Sequence, residues 1–459
     1  MSAAGAPNYS KFQVIKKVKT KFKGTYRETT KFVDIPGKVV GLNYYESLYS
    51  PMVTANFLEV DTGGTVDNPK DGFAGTLKDG LPVEGFEEVL LNVKTTYGKL
   101  DWRGKKRRFI IIGSPYNQDE STKQTSFFPM ISINALKSSS RPVTRDYYET
   151  DISMQVTRIL ANARLPFKPE NIEKTSNTLK VSGQNESPLD VILKLCPKAT
   201  PIDGDPGYFF FENSEGFNFK SIHGMIRDGY EAHRDGRYAA ERTYTYMIGL
   251  KANLNNSEND FNVLLPPTVR RDQDQINAIK MGQYNIRVCT RNLITGKVEE
   301  NIINVYNNDK TLTLGEKTVD NTQNDQISSN PEDNAFNYCR TYTYPLIPGL
   351  DENVVSTDVS TKNIKNNPAN YHPKAIMRYG LIHAQLVNII VPHNGLLSVG
   401  QLIKLKIENI TADPKIEKPF NDHRSGFYLI LHLCHSFNEK NSFTSLTLCR
   451  DTYGKQRKF

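Results

Sequence analysis

The side chains with the most chemical potential lie close together near the C-terminus: His432, Cys434 and His435, with Cys449 downstream. On a strand His432 and Cys434 share a face and His435 points to the other. A zinc or nucleophilic site would need partners from elsewhere, and Cys449 is the obvious one. A hairpin closing at 438–442 sets Cys434 opposite Leu446 instead, so the cluster reads as buried structural Cys and His on a core strand. His223, His233, His372, His383, His393 and His423 are scattered without ligand spacing. Glu87-Glu88 and Glu299-Glu300 are adjacent pairs that diverge on strands, so they read as solvated positions and not as a general acid/base pair. Lys105-Lys106-Arg107-Arg108, with Trp102 nearby, could meet phosphate or an acidic protein, but a solubilising turn is the simpler reading. No Walker A loop, GxGxxG, HExxH or GxSxG is present. No catalytic, cofactor-binding or metal-ligating residue is expected, and no cofactor.

Composition sets the frame for these residues. The chain has 459 residues, with 58 Lys+Arg against 50 Asp+Glu and a net charge of +8. That length allows about three domains and a core large enough to need no disulfide or metal. Mean hydropathy is −0.52 and 38% of residues are hydrophobic, which describes a soluble globular chain. Asn is abundant, and 23 Tyr with 22 Phe add aromatic weight. Asn favours turns and aromatics favour pleated surfaces, so many strands joined by many turns are expected. The five cysteines, Cys196, Cys289, Cys339, Cys434 and Cys449, are odd in number and lack CxxC spacing. Neither a disulfide framework nor a zinc ribbon is indicated, and a reducing compartment fits. No apolar run reaches membrane-spanning length, and the N-terminus lacks the apolar core of a secretory signal. A charge of +8 is too small for this length to argue for a nucleic-acid partner.

The patterning divides the chain into blocks. Lys17, Lys19, Lys21 and Lys23 alternate with Val18, Thr20 and Phe22, which predicts a solvated edge strand guarded by lysines. Strand-like runs follow through residues 38–61, 86–93 and 107–112, and Ile131-Ser132-Ile133-Asn134-Ala135 alternates as another. Ile152, Val156, Ile159 and Leu160 then recur at helical spacing. A second helix opens at Ser187-Pro188-Leu189-Asp190, with Ser as N-cap and Pro at the first helical position. Tyr208–Phe211, a turn at Asn213-Ser214-Glu215-Gly216 and Phe217–Ser221 form an aromatic hairpin. Strands return at Arg242–Ile248, a short polar helix is expected around 272–282, and a hairpin has arms near 284–292 and 297–305. Residues 306–370 are rich in Asn, Asp, Ser and Thr and read as an extended insertion, not a core element. The last ninety or so residues alternate strongly as strands. No repeat supports a solenoid or propeller.

Three segments resemble the central baseplate hub proteins of contractile-tailed bacteriophages. GLNYYESLYSPMVTANFLEVDTG with LPVEGFEEVLLNV is similar to the first tube-like barrel of that family. SPLDVILKLCPKA with GYFFFENSEGFNFKSI resembles its inserted α/β domain. VNIIVPHNGLLSVGQLIKLKI with SGFYLILHLCHSFNEKNSFTSLTLCRD resembles the strands of its second barrel. The resemblance implies a mainly β fold with an α/β insert: two tube-like antiparallel β-barrel domains plus an inserted α/β domain. Its boundaries would be a basic arm at 1–24, a first barrel at 25–150, the insert at 151–240, and a second barrel at 241–305 with 371–459. The Asn-rich insertion at 306–370 is not part of the family pattern. The resemblance also implies a non-enzymatic homotrimer whose six barrels form a ring, matching a trimeric spike below to a hexameric tail tube above. Implied partners are further copies of the chain, the spike, tube or tube-initiator proteins, and tape measure and wedge proteins. The ring would have a central channel for genome passage, with no membrane insertion and no specific nucleic-acid binding. The expected location is the virion's tail baseplate, assembled in the host cytoplasm. A carbohydrate-binding or hydrolytic tail protein, or the hub of a related contractile secretion system, is the alternative. The latter is disfavoured by a chain ending at Lys458-Phe459 without a β-helical needle.

Overall fold

The computed structural model describes residues 4–456 apart from 23–24, 65, 68–73, 82, 114–115, 238–240, 249–259, 271–274, 294–295, 305–312, 318–339, 347–366 and 411–419. Alternating runs become strands with one face inward. The first block supplies β1 (Asn8–Phe22), β2 (Thr25–Asp34), β3 (Val39–Ser47), β4 (Thr54–Asp61), β5 (Glu88–Lys94), β6 (Phe109–Ile111) and β7 (Gln124–Ser132). The second half supplies β8 (Thr268–Arg270), β9 (Gln385–Pro392), β10 (Gly426–Asn438) and β11 (Ser442–Arg450). On β4 every second side chain from Ala55 to Asp61 is buried, the signature of a sheet with one covered face.

The two β blocks are one sheet. Hydrogen-bonded neighbours run β8-β9-β11-β10-β3-β4-β7-β6-β5-β1-β2 within a sheet of 15 strands, side branches included. Every step along this path is antiparallel. The blocks join where Gly41–Ser47 of β3 pairs with His432–Asn438 of β10. A single hydrophobic cluster follows the sheet, from Phe12, Phe57 and Phe128 to Leu405, Ile430 and Leu448. Among the described residues neither block closes into a barrel through a continuous ladder. In the last block the opening is bridged by single bonds: Val263 N–H donates to Thr245 at 2.9 Å and Leu264 N–H to Ile390 at 2.8 Å.

The α/β insert has its own core. Helices α2 (Ile152–Asn162) and α3 (Pro188–Leu195) form as their spacing predicts, and Ser187 Oγ caps α3 by accepting from Asp190 N–H. They pack on the hairpin Tyr208–Asn213/Gly216–Ser221, joined in parallel by Phe167–Ile172. The hairpin Asn285–Asn292/Val298–Asn304 also forms as expected.

Several expectations need correction. Strand β1 is an edge only over its lysine-rich half: Asn8–Ile15 lies between β5 and β2, whereas Lys16–Phe22 pairs with β2 alone. Ile131–Ala135 does not continue as a strand, because Ser132 caps helix α1 (Ile133–Ser139), its hydroxyl accepting from Asn134 N–H. Much of 306–370 lies outside the described residues, yet parts of it are structural. Leu314 enters the main core, and Arg340–Leu346 pairs in parallel with Asn285–Asn292.

Two longer helices also escape the sequence reading, for identifiable reasons. Helix α4 (Ile222–Arg234) contains Gly224 and Gly229, which look like helix breakers. A Cβ on Gly229 would sit 2.5 Å from Leu402 Cγ, so glycine is what lets the helix lie this close to the sheet. Helix α5 (Pro368–Leu381) carries an internal Pro373, but Asn367 caps it and Arg378 pins it to Asp451 at 3.1 Å.

Gly229→Ala is therefore expected to destabilise the chain by about 1–3 kcal/mol through overpacking, although alanine is the better helix former. A lowered urea midpoint with unchanged helix content by circular dichroism would match this; an unchanged midpoint would refute the close-approach reading.

Candidate functional site

The C-terminal cluster divides between the two faces of β10. His432, Cys434 and Ser436 lie on the half-exposed face, while Leu433, His435 and Phe437 are buried. Cys434 faces Ser445, one residue from the expected Leu446, because Phe437 pairs with Ser442. Cys449 pairs with Leu429 instead, beyond an irregularity between Ile430 and His432. No Cys–Cys or Cys–His site forms there. Cys196, Cys289, Cys434 and Cys449 are free thiols, and Cys339 lies outside the described residues.

The expectation of buried structural Cys and His holds for His435 and for Cys449, while His432 and Cys434 are half-buried. His435 Nδ1 lies 2.9 Å from Thr444 Oγ1, which is also 3.4 Å from His393 Nδ1. The Tyr44 ring stacks on the other side at 5.8 Å. Burial drives the His435 pKa down to about 3, and His393 is depressed by burial and then by His435. Both imidazoles are therefore neutral core residues at pH 7. On the opposite face Tyr49 Oη bonds His383 Nε2 at 2.6 Å, and the His432 ring lies 5.8 Å from Tyr49.

The expected solvated acids are not all solvated. Glu87 is buried, accepts from Glu84 and Gly85 N–H at 3.1 and 2.8 Å, and pairs with Lys16 at 3.1 Å. Glu88 pairs with Arg108. Arg107 Nη2 donates to the Glu215 carbonyl at 2.5 Å, so half of the basic turn is engaged within the chain. Lys105 and Lys106 remain exposed. Trp102 is buried against Phe109 at 4.5 Å.

The most constrained site lies where the insert meets the sheet, and no motif announces it. Glu46 on β3 and Glu212 on the insert hairpin are both buried. Glu46 Oε1 accepts from Tyr44 Oη at 2.6 Å and Ser214 N–H at 3.0 Å, and its Oε2 from Val399 N–H at 3.1 Å. Glu212 Oε1 accepts from Ser132 Oγ at 2.9 Å and Asn134 Nδ2 at 2.6 Å, and its Oε2 from Val53 N–H at 3.2 Å. One carboxylate thus ties the first block to the insert and the last block, and the other ties the insert back to the first block. Burial pushes the Glu212 pKa up to about 7 against the pull of its donors, with a further small upward push from Glu46. Glu46 is also raised by burial, and its hydrogen bonds oppose the shift. With their oxygens filled by the chain's own donors, these acids form a joint and not a general acid/base pair.

Two clefts of about 300 Å³ lie elsewhere, one lined by Arg141, Arg145, Tyr147 and Asn162, the other by Asn177, Thr178 and Tyr371. Neither is lined by a carboxylate, so neither offers the paired acids of glycoside hydrolysis. Among the described residues no group of three or more His, Cys, Asp and Glu is placed to hold a metal, and no helix is long and apolar enough to cross a membrane.

No family model matches the chain, and no curated protein matches it by sequence. Solved structures similar to it include two tail proteins and a secretion-system component. A 43 kDa tail protein of prophage MuSo2 from Shewanella oneidensis has 6% identity and TM-score 0.46, covering 96% of this chain and 98% of its own. A tail protein from Neisseria meningitidis has 9% identity and TM-score 0.46, covering 96% and 97%. An E. coli type VI secretion component, described as similar to T4 bacteriophage tail proteins gp27 and gp5, has 11% identity and TM-score 0.41, covering 92% and 76%.

The two buried systems shape opposite limbs of a pH profile. His435 is depressed from 6.5, so its contribution is complete above pH 6.5 and is lost as pH falls towards 3. Glu212 is raised from 4.5, so stability is greatest below pH 4.5 and is lost as pH rises through about 7, by about 3 kcal/mol. Glu212→Gln should flatten the loss between pH 4.5 and 8, and His435→Asn the loss below 6.5. Urea midpoints across pH 4–9 check both; a variant profile parallel to the wild type would refute its assignment.

Proposed function

We propose that this chain is the structural hub of a contractile phage tail baseplate, working as a homotrimeric ring between a trimeric spike and a hexameric tail tube. The observation that carries the reading is the single antiparallel sheet threading both β blocks and ending in an open ladder edge at β2. An open edge is a template for a further strand. Three copies joined through such edges present six related β blocks, which lets threefold symmetry meet sixfold symmetry. A ring of this kind surrounds a central channel wide enough for genome passage. Spike proteins below, tube or tube-initiator proteins above, and tape measure and wedge proteins are the partners this role requires. The location is the tail baseplate of the virion, after assembly in the host cytoplasm.

A non-enzymatic role is part of the proposal. The buried acids Glu46, Glu87 and Glu212 and the buried His435 are consumed by bonds within the chain, which supports a mechanical and not a chemical task.

The purified chain is expected to have about three times the 52.0 kDa protomer mass by light scattering. Phe32 stands 59% exposed on the edge strand β2, so Phe32→Glu should weaken the trimer while leaving circular dichroism unchanged. A wild-type monomer at micromolar concentration would overturn the hub reading; a monomer that also bound glycans would favour the carbohydrate-binding alternative.

A further inference from the structure

Where the chain enters the insert, a cleft of about 300 Å³ is lined by two arginines and by no acid. Arg141, Arg145, Tyr147 and Asn162 offer polar groups there, and Val143 and Ile159 add a buried apolar floor.

The segment that bears both arginines is held from several sides. Val143 N–H donates to the Glu186 carbonyl at 2.8 Å, and Asn185 N–H to the Val143 carbonyl at 3.0 Å. Gly183 lies so close that a Cβ there would sit 2.6 Å from the Arg145 backbone nitrogen. Arg141 Nη1 donates to the Ala163 carbonyl at the end of α2 at 2.8 Å, which fixes its guanidinium beside the cleft. Tyr147 Oη accepts from Asn162 Nδ2 at 3.0 Å, so its own proton is left to donate.

The acids close by are spent elsewhere. Asp146 accepts from Ser182 Oγ and Gly183 N–H, Glu186 pairs with Lys194, and Asp190 accepts from Ser187 Oγ. Among the described residues Arg145 forms no ion pair. Positive charge also extends beyond the cleft. Half-buried Lys137 on α1 is held below the usual lysine range, by burial first and then by Arg141, with Lys106 and Arg108 adding to this and Glu212 opposing it. Lys106 is exposed, whereas Arg108 is neutralised by Glu88.

We propose that this cleft docks an acidic segment of a partner protein, with one carboxylate seated between Arg141 and Arg145. Further acids of the segment would face Lys137 and Lys106. A guanidinium presents parallel N–H donors that match a carboxylate, and the Tyr147 hydroxyl supplies one more. The methylene stem of a glutamate would cover Val143 and Ile159. A nucleic-acid strand fits less well, because it asks for a run of phosphate contacts. Here the positive surface is short, since Arg107 and Arg108 are engaged within the chain. The inference stands apart from the hub reading, because it names the chemistry of a partner and not the assembly.

The test uses the full chain in titration calorimetry at constant low ionic strength. The probe is an end-blocked hexapeptide with three glutamates, compared with its glutamine counterpart. The glutamate peptide should bind about tenfold more tightly. Arg145→Gln changes an exposed side chain and should fold normally, yet lose most of that preference; Arg141→Gln should lose it too. Lys440→Gln removes an exposed charge on the turn after β10 and should leave the preference intact. Equal binding of the two peptides, binding of neither, or an undiminished preference in Arg145→Gln would overturn the proposal. Equal losses in Lys440→Gln and Arg145→Gln would mean diffuse attraction only, and would overturn it as well. A tetranucleotide of the same charge that bound more tightly, and lost affinity in Arg145→Gln, would overturn the choice of a protein partner.

Discussion

Glu46 and Glu212 are the constraint on which the arrangement of the three parts depends. Between them they accept three backbone N–H groups, from Val53, Ser214 and Val399, which belong to the first block, the insert and the last block. Buried backbone donors must find acceptors, and here two carboxylates provide them where strand ladders do not. Burying two acids is costly, and their raised pKa values express that cost. Removing either acid would be worse, because it would strand several buried donors at once. Around this joint the contacts are cheaper and more exposed: Arg107 to the Glu215 carbonyl, and Lys168 to Glu215 at 3.1 Å.

The continuous sheet gives the joint its leverage. The ladder between β3 and β10 carries Glu46 on a strand that belongs equally to both blocks. His435 lies in the same ladder, opposite Tyr44, and Tyr44 donates to Glu46. The buried histidine pair, the tyrosine and the acid are therefore successive layers of one packed seam. A sheet that runs unbroken through both blocks moves as a unit, because sliding one strand by a residue would turn every buried side chain outward.

What was legible in the sequence was what repeats. Alternation exposed the long strands, because each has one covered face, and helical spacing exposed α2 and α3. The side assignments of His432, Cys434 and His435 followed from period two alone. What was not legible depends on distant neighbours. Gly229 looks like a defect until Leu402 is seen against it, and Pro373 looks like a stop until α5 is seen capped by Asn367 and tied to Asp451. Ser132 and Asn134 alternate like strand residues, but they serve as helix cap and as donors to Glu212, a partner far along the chain. Glu46 and Glu212 are single acids in β-rich runs, and no local pattern marks them. Glu87 fails for the same reason: its role comes from the loop it caps, whose Phe86 takes a left-handed φ of 65°.

The chemistry of the joint also explains why it specifies position as well as holding on. A hydrophobic contact between insert and sheet would tolerate sliding, since apolar burial is non-directional. A carboxylate that accepts from named N–H groups on different segments does not, because each bond has a narrow range of distance and angle. Ser214 N–H and Val399 N–H reach opposite oxygens of Glu46, so insert and last block are fixed through one planar group. Glu212 repeats the device from the insert's side, with Val53 on one oxygen and Ser132 and Asn134 on the other. Two planar groups on separate strands fix both position and orientation, which a single pivot could not. The insert is thereby held as a rigid extension of the sheet, and force applied to one part is delivered to the others through that seam.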